Sequence, residues 1–317
     1  MKLTTSLLRR IIKEEISATT RRSSKHSLRF LLEDAEPEKI NQKLYPTKLS
    51  DVDTDLAKVL ATKGSQENED IAKVKKISKS ASNLKASQTT MDFGKFVGMA
   101  IQMMGKIGSF SDGAGGDLGA IISSDMHIMD GHHRWAATLM VDPSASVGGI
   151  GVNLPGEKLV GVLNVWTVAH GGQGKPSDTE LSSLSGDSVA EKFKDMCSKG
   201  GKFLPSPDEI LEAFKKAGFE SLDAAAAHVK KNWDSTQKSR SIEGWMPPKV
   251  DMPAIEPSQL EQVAKDISSG KMDINPAYSP EVKAASSGEK EKKQAQEESF
   301  KRDVVLERWQ RLAGLVK

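Results

Sequence analysis

Five consecutive residues, DGHHR at positions 130–134, combine side chains that can bind a phosphate group with side chains that can transfer protons. Arg134 presents a planar fork of N–H donors that matches phosphate oxygens. His132 and His133 can donate hydrogen bonds to phosphate, or act as general acid or base near neutral pH. Asp130 can hold Mg²⁺ or orient an imidazole. We therefore expect His132, His133 and Asp130 to be catalytic, with Asp130 as the metal ligand.

The backbone at this motif adds to the expected affinity for anions, because a predicted strand meets a predicted helix here. The first N–H groups of a helix have no partner inside the helix, and its dipole adds partial positive charge. Gly131 lets the backbone come close to a ligand. Gly131, His132, His133 and Arg134 are accordingly the predicted nucleotide-binding positions.

Simpler interpretations of the same residues stay open. Asp-Gly is a common turn, and a histidine at the start of a helix is often only a cap. His127, His132 and His133 are close enough in sequence to suggest zinc, but a suitable fourth ligand and a known spacing are missing. The motifs of a serine nucleophile (G-x-S-x-G) and of a Walker A loop (G-x-x-x-x-G-K-[ST]) are absent.

The elements that would position the motif can be predicted from apolar spacing. Two short strands, Leu118–Ile122 and Met126–Met129, form a predicted hairpin ahead of it. A short helix from His132 to about Val141 follows, and Asp142-Pro143 ends it. A longer helix precedes the hairpin, and one of its faces is apolar: Phe93, Phe96, Val97, Ala100, Ile101, Met104 and Ile107.

The rest of the chain gives weaker signals. Two more strands are predicted at Val147–Val152 and Leu159–Val168, whereas residues 62–90 indicate weak helix or loop. Residues 171–187 are typical of a linker. Capping residues and apolar spacing predict three helices beyond it, at about 206–218, 221–233 and 258–269.

Composition excludes several classes of protein. The 317 residues carry a net charge of +2, which excludes a polycation that coats nucleic acid. Only 37% are hydrophobic and 5% aromatic, enough for one core of moderate size. The single cysteine, Cys197, excludes a disulfide framework and a cysteine-rich zinc site. No apolar run approaches the roughly 18 residues of a membrane span.

The order helix, glycine loop, strand, turn, strand, DGHHRWAA and helix resembles the ParB/sulfiredoxin superfamily, nearest to its ParB-like nucleases. Free serine kinases of the same superfamily carry a similar D-G-H-H-R-Y. In ParB proteins the matching stretch, G-E-R-R, holds the phosphates of CTP, which implies phosphate contacts for Gly131, His132, His133 and Arg134. His132 stands where sulfiredoxins have their catalytic cysteine, which excludes that chemistry. No clear helix-turn-helix follows, which argues against ParB-type recognition of DNA sites.

The N-terminal segment differs in charge from its neighbour. Residues 1–32 contain eight basic and two acidic residues with helical apolar spacing, whereas residues 33–70 contain ten acidic and five basic residues. The first 32 residues are consistent with an exposed helix, a docking or targeting peptide, or a membrane-surface helix. Both termini resemble those of proteins from large tailed phages. Ile12-Lys13-Glu14 and Leu31-Leu32-Glu33 match the Leu/Ile-x-Glu sequence at which such phages cut prohead proteins.

Together these patterns predict an α+β fold, with a small mixed sheet of ParB/sulfiredoxin-like type, flanking helices and a helical C-terminal region. The predicted segments are an amphipathic helix and linker (1–44), a ParB/sulfiredoxin-like domain (45–170), a linker (171–204), a helical region (205–270), and a tether with an amphipathic helix (271–317).

The predicted function is that of a ParB-like enzyme that binds a nucleoside tri- or diphosphate with Mg²⁺. It would act on a phosphate ester or anhydride by hydrolysis, phosphoryl transfer or nuclease action. The alternative is a phage virion or prohead protein that only binds nucleotide or DNA, and contacts capsid or scaffold proteins through its terminal helices. The expected location is the host cytoplasm or the virion interior, without a membrane span.

Overall fold

The computed structural model describes residues 45–62, 72–177, 179–200 and 203–272. The predicted N-terminal amphipathic helix, and the tether and amphipathic helix at the C-terminus, lie outside the described residues. Within the described ranges, no helix is long and apolar enough to cross a membrane.

A small mixed sheet forms the centre of the described structure. Its four strands lie in the order β1-β5-β3-β4, and β2 pairs with β6 in a separate two-stranded ladder. β5 runs parallel to β3, while β1 is antiparallel to β5 and β4 is antiparallel to β3. The strands are β1 (Val74–Ser80), β2 (Thr90–Met91), β3 (Gly116–Ile122), β4 (Ile128–Asp130), β5 (Ser146–Val152) and β6 (Thr179–Glu180).

Eight α-helices complete the part of the chain that the structure describes. They are α1 (Thr54–Thr62), α2 (Phe93–Gly105), α3 (His132–Val141), α4 (Gly156–Ala169), α5 (Gly186–Lys199), α6 (Pro207–Lys216), α7 (Leu222–Ser235) and α8 (Leu260–Ser268). The fold is therefore mixed α+β, as predicted at this coarse level.

Helices bury both faces of the sheet, and strand β3 shows how. Ala120 and Ile122 belong to a core with buried side chains of α2, α3, α5, α6 and α7. Ile121, between them, belongs to a second core with side chains of α1, α4 and α8. This alternation follows from the two-residue period of a strand. The sheet consequently separates two apolar layers, and the DGHHR motif begins at the end of its edge strand β4.

Most elements predicted around the motif are confirmed. The hairpin is β3–β4, the helix after it is α3, the amphipathic helix is α2, and the strand at Val147–Val152 is β5. The capping box predicted at Ser206 begins α6, and the side chain of Ser221 caps α7.

The strand predicted at Leu159–Val168 is wrong, because these residues belong to helix α4. Every residue from Leu159 to Thr167 is buried, so the helix is buried on all sides and its mostly apolar sequence shows no amphipathic period. A continuous apolar run cannot be told from a buried strand by periodicity alone.

Two further segments differ from prediction. Residues 74–80, predicted as weak helix or loop, form β1, an edge strand whose lysine-rich sequence leaves most side chains exposed or half-buried. The predicted linker 171–204 contains β6 and the 14-residue helix α5. Val189, Phe193 and Cys197 of α5 are buried in the same core as α2 and α3.

Substitution of Phe193 tests whether α5 contributes to the stability of the core. Its ring is buried and stacks on Phe214, with 5.6 Å between ring centroids. Phe193→Ala should lower the free energy of unfolding by about 3–5 kcal/mol, measured by urea denaturation. Phe203→Ala removes the same side chain where it is 79% exposed, and should change stability by only about 0.5 kcal/mol. Equal effects of the two variants would mean that α5 does not contribute to the core.

Candidate anion-binding pocket

A turn of one residue joins β4 to α3 and determines where the motif lies. β4 ends at Asp130, α3 begins at His132, and Gly131 between them has φ 92°. A side chain there would be strained by this left-handed conformation, and its Cβ would lie 3.4 Å from Cα and Cβ of Ala120. Glycine also supplies no capping side chain, so the first N–H groups of α3 remain available to a ligand.

A pocket of about 420 Å³ opens at this turn. Asp130, Gly131, His133 and Arg134 line it, so the structure brings together four of the five residues of the motif. The other walls come from distant parts of the sequence: Lys95 and Met99 of α2, residues 173–175, Lys249, and residues 252–256.

The pocket is rich in positive charge. Among the described residues that line it, Lys95, Arg134, Lys175 and Lys249 are cationic, against the carboxylates of Asp130 and Glu256. Burial lowers the pKa of Lys249, and the positive charges of Lys95 and Lys175 lower it further, whereas the carboxylate of Asp130 opposes them. A bound anion would relieve this repulsion between lysines.

An ion pair with Asp130, the last residue of β4, holds Arg134 at the wall of the pocket. Nη2 of Arg134 donates to Oδ2 of Asp130 at 3.2 Å, and both side chains are partly exposed. An exposed pair of this kind adds little stability. Its effect is to orient the guanidinium, whose remaining N–H groups can bind an anion.

His133 is neutral at physiological pH. Burial, followed by the positive charges of Lys249, Lys95 and Arg134, lowers its pKa to about 3. The backbone N–H of Asp92 donates to its Nε2 at 3.3 Å. In a neutral imidazole whose Nε2 accepts a hydrogen bond, the proton is on Nδ1. The N–H of His133 is therefore on Nδ1, and its side chain lines a pocket where an added positive charge is unfavourable.

His132 does not line the pocket, although the sequence placed it among the site residues. Its Nε2 lies 3.4 Å from the backbone N of Ser87 and 3.1 Å from Oγ of the same residue. Ser87 is fully buried, and its hydroxyl donates to the carbonyl of Ile128. Burial, then the charges of Lys249, His133 and His127, hold the pKa of His132 well below the ordinary value. The imidazole thus joins the segment before β2 to the end of the hairpin, out of reach of a ligand in the pocket.

The metal interpretations gain no support from the geometry. The ranges that the structure describes contain no group of three His, Cys, Asp or Glu side chains able to hold a metal ion. His127 faces carboxylates instead: Nδ1 lies 3.1 Å from Asp125 and Nε2 lies 3.3 Å from Glu243. Asp130 is engaged by Arg134 in a cation-rich pocket. A resident Mg²⁺ or Zn²⁺ does not fit this set of donors.

The sequence did not reveal three cations of the pocket. Lys95 lies on the polar side of the predicted helix α2, and nothing in that pattern distinguishes it from an ordinary exposed lysine. Lys175 ends the stretch Gly-Gly-Gln-Gly-Lys, whose composition is typical of a linker; its glycine-rich sequence ending in lysine is the one signal that could indicate a binding segment. Lys249 joins the site only through tertiary folding.

No protein-family model, no curated protein and no solved structure matches this chain. The resemblance to the ParB/sulfiredoxin superfamily therefore rests on the motif and on the order of elements, and it stays a prediction.

The lowered histidine pKa values make stability depend on pH. The unfolded chain takes up protons at its histidines near pH 6.5, whereas folded His133 does so only near pH 3. The unfolded state then binds more protons, so the free energy of unfolding should fall as pH decreases from about 6.5. The slope contributed by one such histidine approaches about 1.4 kcal/mol per pH unit, measured by urea denaturation between about pH 7 and pH 5.

His133→Gln is the matched control for this dependence. Glutamine can still accept a hydrogen bond from Asp92 N–H but does not titrate, so the dependence of the unfolding free energy on pH should become shallower.

Asp125 does not interfere in this pH range. Burial raises its pKa, but hydrogen bonds from His127 and Ser123 outweigh burial and lower that pKa to about 2, so the stability that Asp125 contributes is lost only at more acidic pH. An unchanged slope in His133→Gln would show that His133 does not carry the effect.

Proposed function

We propose that the pocket at Gly131–Arg134 binds the phosphate groups of a nucleotide, and that the protein acts on a phosphate ester or anhydride of that ligand. The observation that carries this proposal is the combination of four cationic side chains with the uncapped N-terminus of α3 in one pocket of about 420 Å³. Helix N-termini and lysine or arginine side chains are the groups that proteins use for phosphate.

Each pocket residue has a distinct part in the proposed binding. Arg134, oriented by Asp130, would bind two phosphate oxygens through its fork. Lys95, Lys175 and Lys249 would neutralise the remaining charge as point charges. The same donors would stabilise negative charge that develops on the phosphoryl oxygens during reaction, because they are already in place.

His133 is the proposed proton-transfer residue, while His132 is proposed to be structural. Bound phosphate would replace repulsion from the lysines with attraction, and would raise the pKa of His133 towards the range in which proton transfer is efficient. For proton transfer, Nε2 would take up a proton with loss of the hydrogen bond from Asp92 N–H, and the resulting imidazolium would give its Nδ1 proton to a leaving oxygen. His132, bonded to buried Ser87, would hold the turn in place.

Magnesium has no resident site in this proposal. The carboxylates of Asp130 and Glu256 could hold Mg²⁺ only together with phosphate oxygens and water, so a metal would have to enter with the nucleotide. The steps assigned to Arg134, the lysines and His133 do not depend on it.

Hydrolysis, phosphoryl transfer and nuclease action remain varieties of the same proposal, and membership of the ParB-like class is proposed on the DGHHR motif. The alternative of a phage virion or prohead protein, with its location inside the virion, depends on the terminal segments, which lie outside the described residues. The pocket itself favours the nucleotide-binding enzyme, for which we propose a location in the host cytoplasm.

The binding proposal predicts a large effect of Arg134→Ala. Loss of a charge-assisted, bidentate contact should weaken binding by about 1.5–3 kcal/mol, which is roughly 10- to 150-fold in Kd. Calorimetry with the four ribonucleoside triphosphates measures this directly. Lys249→Met should also weaken binding, whereas Lys231→Met makes the same change on the exposed side of α7 and should not. Equal affinity of wild type and Arg134→Ala would refute the phosphate site.

The catalytic proposal predicts that His133→Gln separates turnover from binding. Phosphate release from the bound nucleotide should slow by about 10²- to 10⁴-fold, while Kd changes little. His228→Gln, in a helix outside the pocket lining, is the control and should keep the wild-type rate. Full activity of His133→Gln would exclude this histidine as acid or base.

A further inference from the structure

A second, apolar cavity adjoins the anion-binding pocket. It has a volume of about 580 Å³ and follows one face of α2, where Lys95 and Met99 line both cavities. The side chains that make it apolar come from α2, from residue 110, from α5 and from the segment before α6. We call it the α2 groove, and its apolar lining includes Met99, Phe110, Met196, Phe203 and Leu204.

Gln102 connects the two walls of the α2 groove. Its Nε2 donates to the carbonyl of Phe203 at 3.1 Å, and its Oε1 accepts from the N–H of Ser109 at 3.2 Å. Gln102 is itself buried, so these bonds fix the distance between the two walls. The side chain of Phe203, on one wall, is 79% exposed, so a ligand can reach its ring.

The juxtaposition of a cation-rich pocket and an apolar groove that share Lys95 and Met99 suits a ligand with two chemically different ends. Phosphate oxygens would meet the lysines and Arg134, and a flat apolar group attached to them would lie between methionine and phenylalanine side chains. Phenylalanine rings stack on planar rings, and thioethers make favourable contacts with them. A nucleobase is flat, and in a nucleotide the ribose links it to the phosphates, so the ribose would lie near Lys95 and Met99, which line both cavities.

We propose that the α2 groove binds the base of a free nucleotide whose phosphates occupy the pocket at Gly131–Arg134, which rests on the function proposed above. Duplex DNA would leave the groove empty, because its bases are stacked inside the helix and only its phosphates face outward. An apolar groove beside the phosphate pocket is useful only to a ligand whose base is unstacked. The proposal therefore assigns the free nucleotide, and not duplex nucleic acid, as the substrate class.

Gly98 lines the α2 groove, so a larger side chain at this position can fill the groove without changing the phosphate pocket. A Cβ at this position would meet Cε of Met196 at 3.4 Å, the far end of a flexible side chain, so alanine can be accommodated, and the longer side chain of leucine would extend into the groove. Each also improves the helix propensity of the position. Gly98→Leu would fill the groove, whereas Gly98→Ala makes the matched backbone change and leaves most of the space.

The test compares ribonucleoside triphosphates with inorganic tripolyphosphate, which has the phosphates without the base, by calorimetry. Wild type should bind at least one nucleoside triphosphate more tightly than tripolyphosphate. Gly98→Leu and Phe203→Ala should each weaken nucleotide binding about tenfold or more, and leave the Kd of tripolyphosphate unchanged. Gly98→Ala should behave as wild type.

The outcomes separate this inference from the function on which it rests. Equal, variant-independent affinity for nucleotide and tripolyphosphate would overturn the base site and leave the phosphate site standing. Absence of binding by both ligands would overturn the phosphate site, and the base site with it. Tighter binding of single-stranded oligonucleotide than of any free nucleotide, also blocked in Gly98→Leu, would overturn the assignment of a free nucleotide.

Discussion

The single-residue turn between β4 and α3 is the constraint on which the candidate site depends. Because Gly131 takes a left-handed conformation directly against Ala120, the strand can pass into the helix without a connecting loop. The helix N-terminus is thereby fixed at the edge of the sheet. On the far side of α3, Trp135 is fully buried and donates to the carbonyl of Ala81, which prevents rotation of the helix about its axis. The orientations of His133 and Arg134 follow from these two anchors.

This orientation gives two adjacent, identical side chains different environments. Successive residues on a helix point about 100° apart, so one imidazole faces the core and the other the pocket. His132 lies beside Ser87 in the interior, while His133 lies among the cations of the pocket. Both are kept neutral, His132 mainly by burial and His133 by burial together with Lys249, Lys95 and Arg134. A bound anion would offset only the repulsion from nearby cations, and not the burial, that keeps these histidines neutral. Only His133 lines the pocket, so only its pKa would rise when an anion binds.

The local parts of the site could be predicted from sequence, and the tertiary parts could not. The β3–β4 hairpin, α2 and α3 have clear apolar periods and turn residues, so the motif was placed correctly at a strand-to-helix junction. The sequence of helix α4 predicts a strand because the helix is buried on all sides and has no amphipathic period. Lys175 and Lys249 approach the motif through packing of segments distant in sequence, and no local pattern carries that information. The division of roles between the two histidines likewise required the positions of Ser87 and Asp92.

The most direct test of the central claim is a crystal structure of the protein with a non-hydrolysable nucleoside triphosphate. The account predicts phosphate oxygens at the N-terminus of α3, within hydrogen-bond distance of Arg134 and close to Lys249, with the imidazole of His133 facing the phosphates and that of His132 still against Ser87. Phosphates bound anywhere else on the chain, or a ligand that leaves the pocket at Gly131–Arg134 empty, would contradict it.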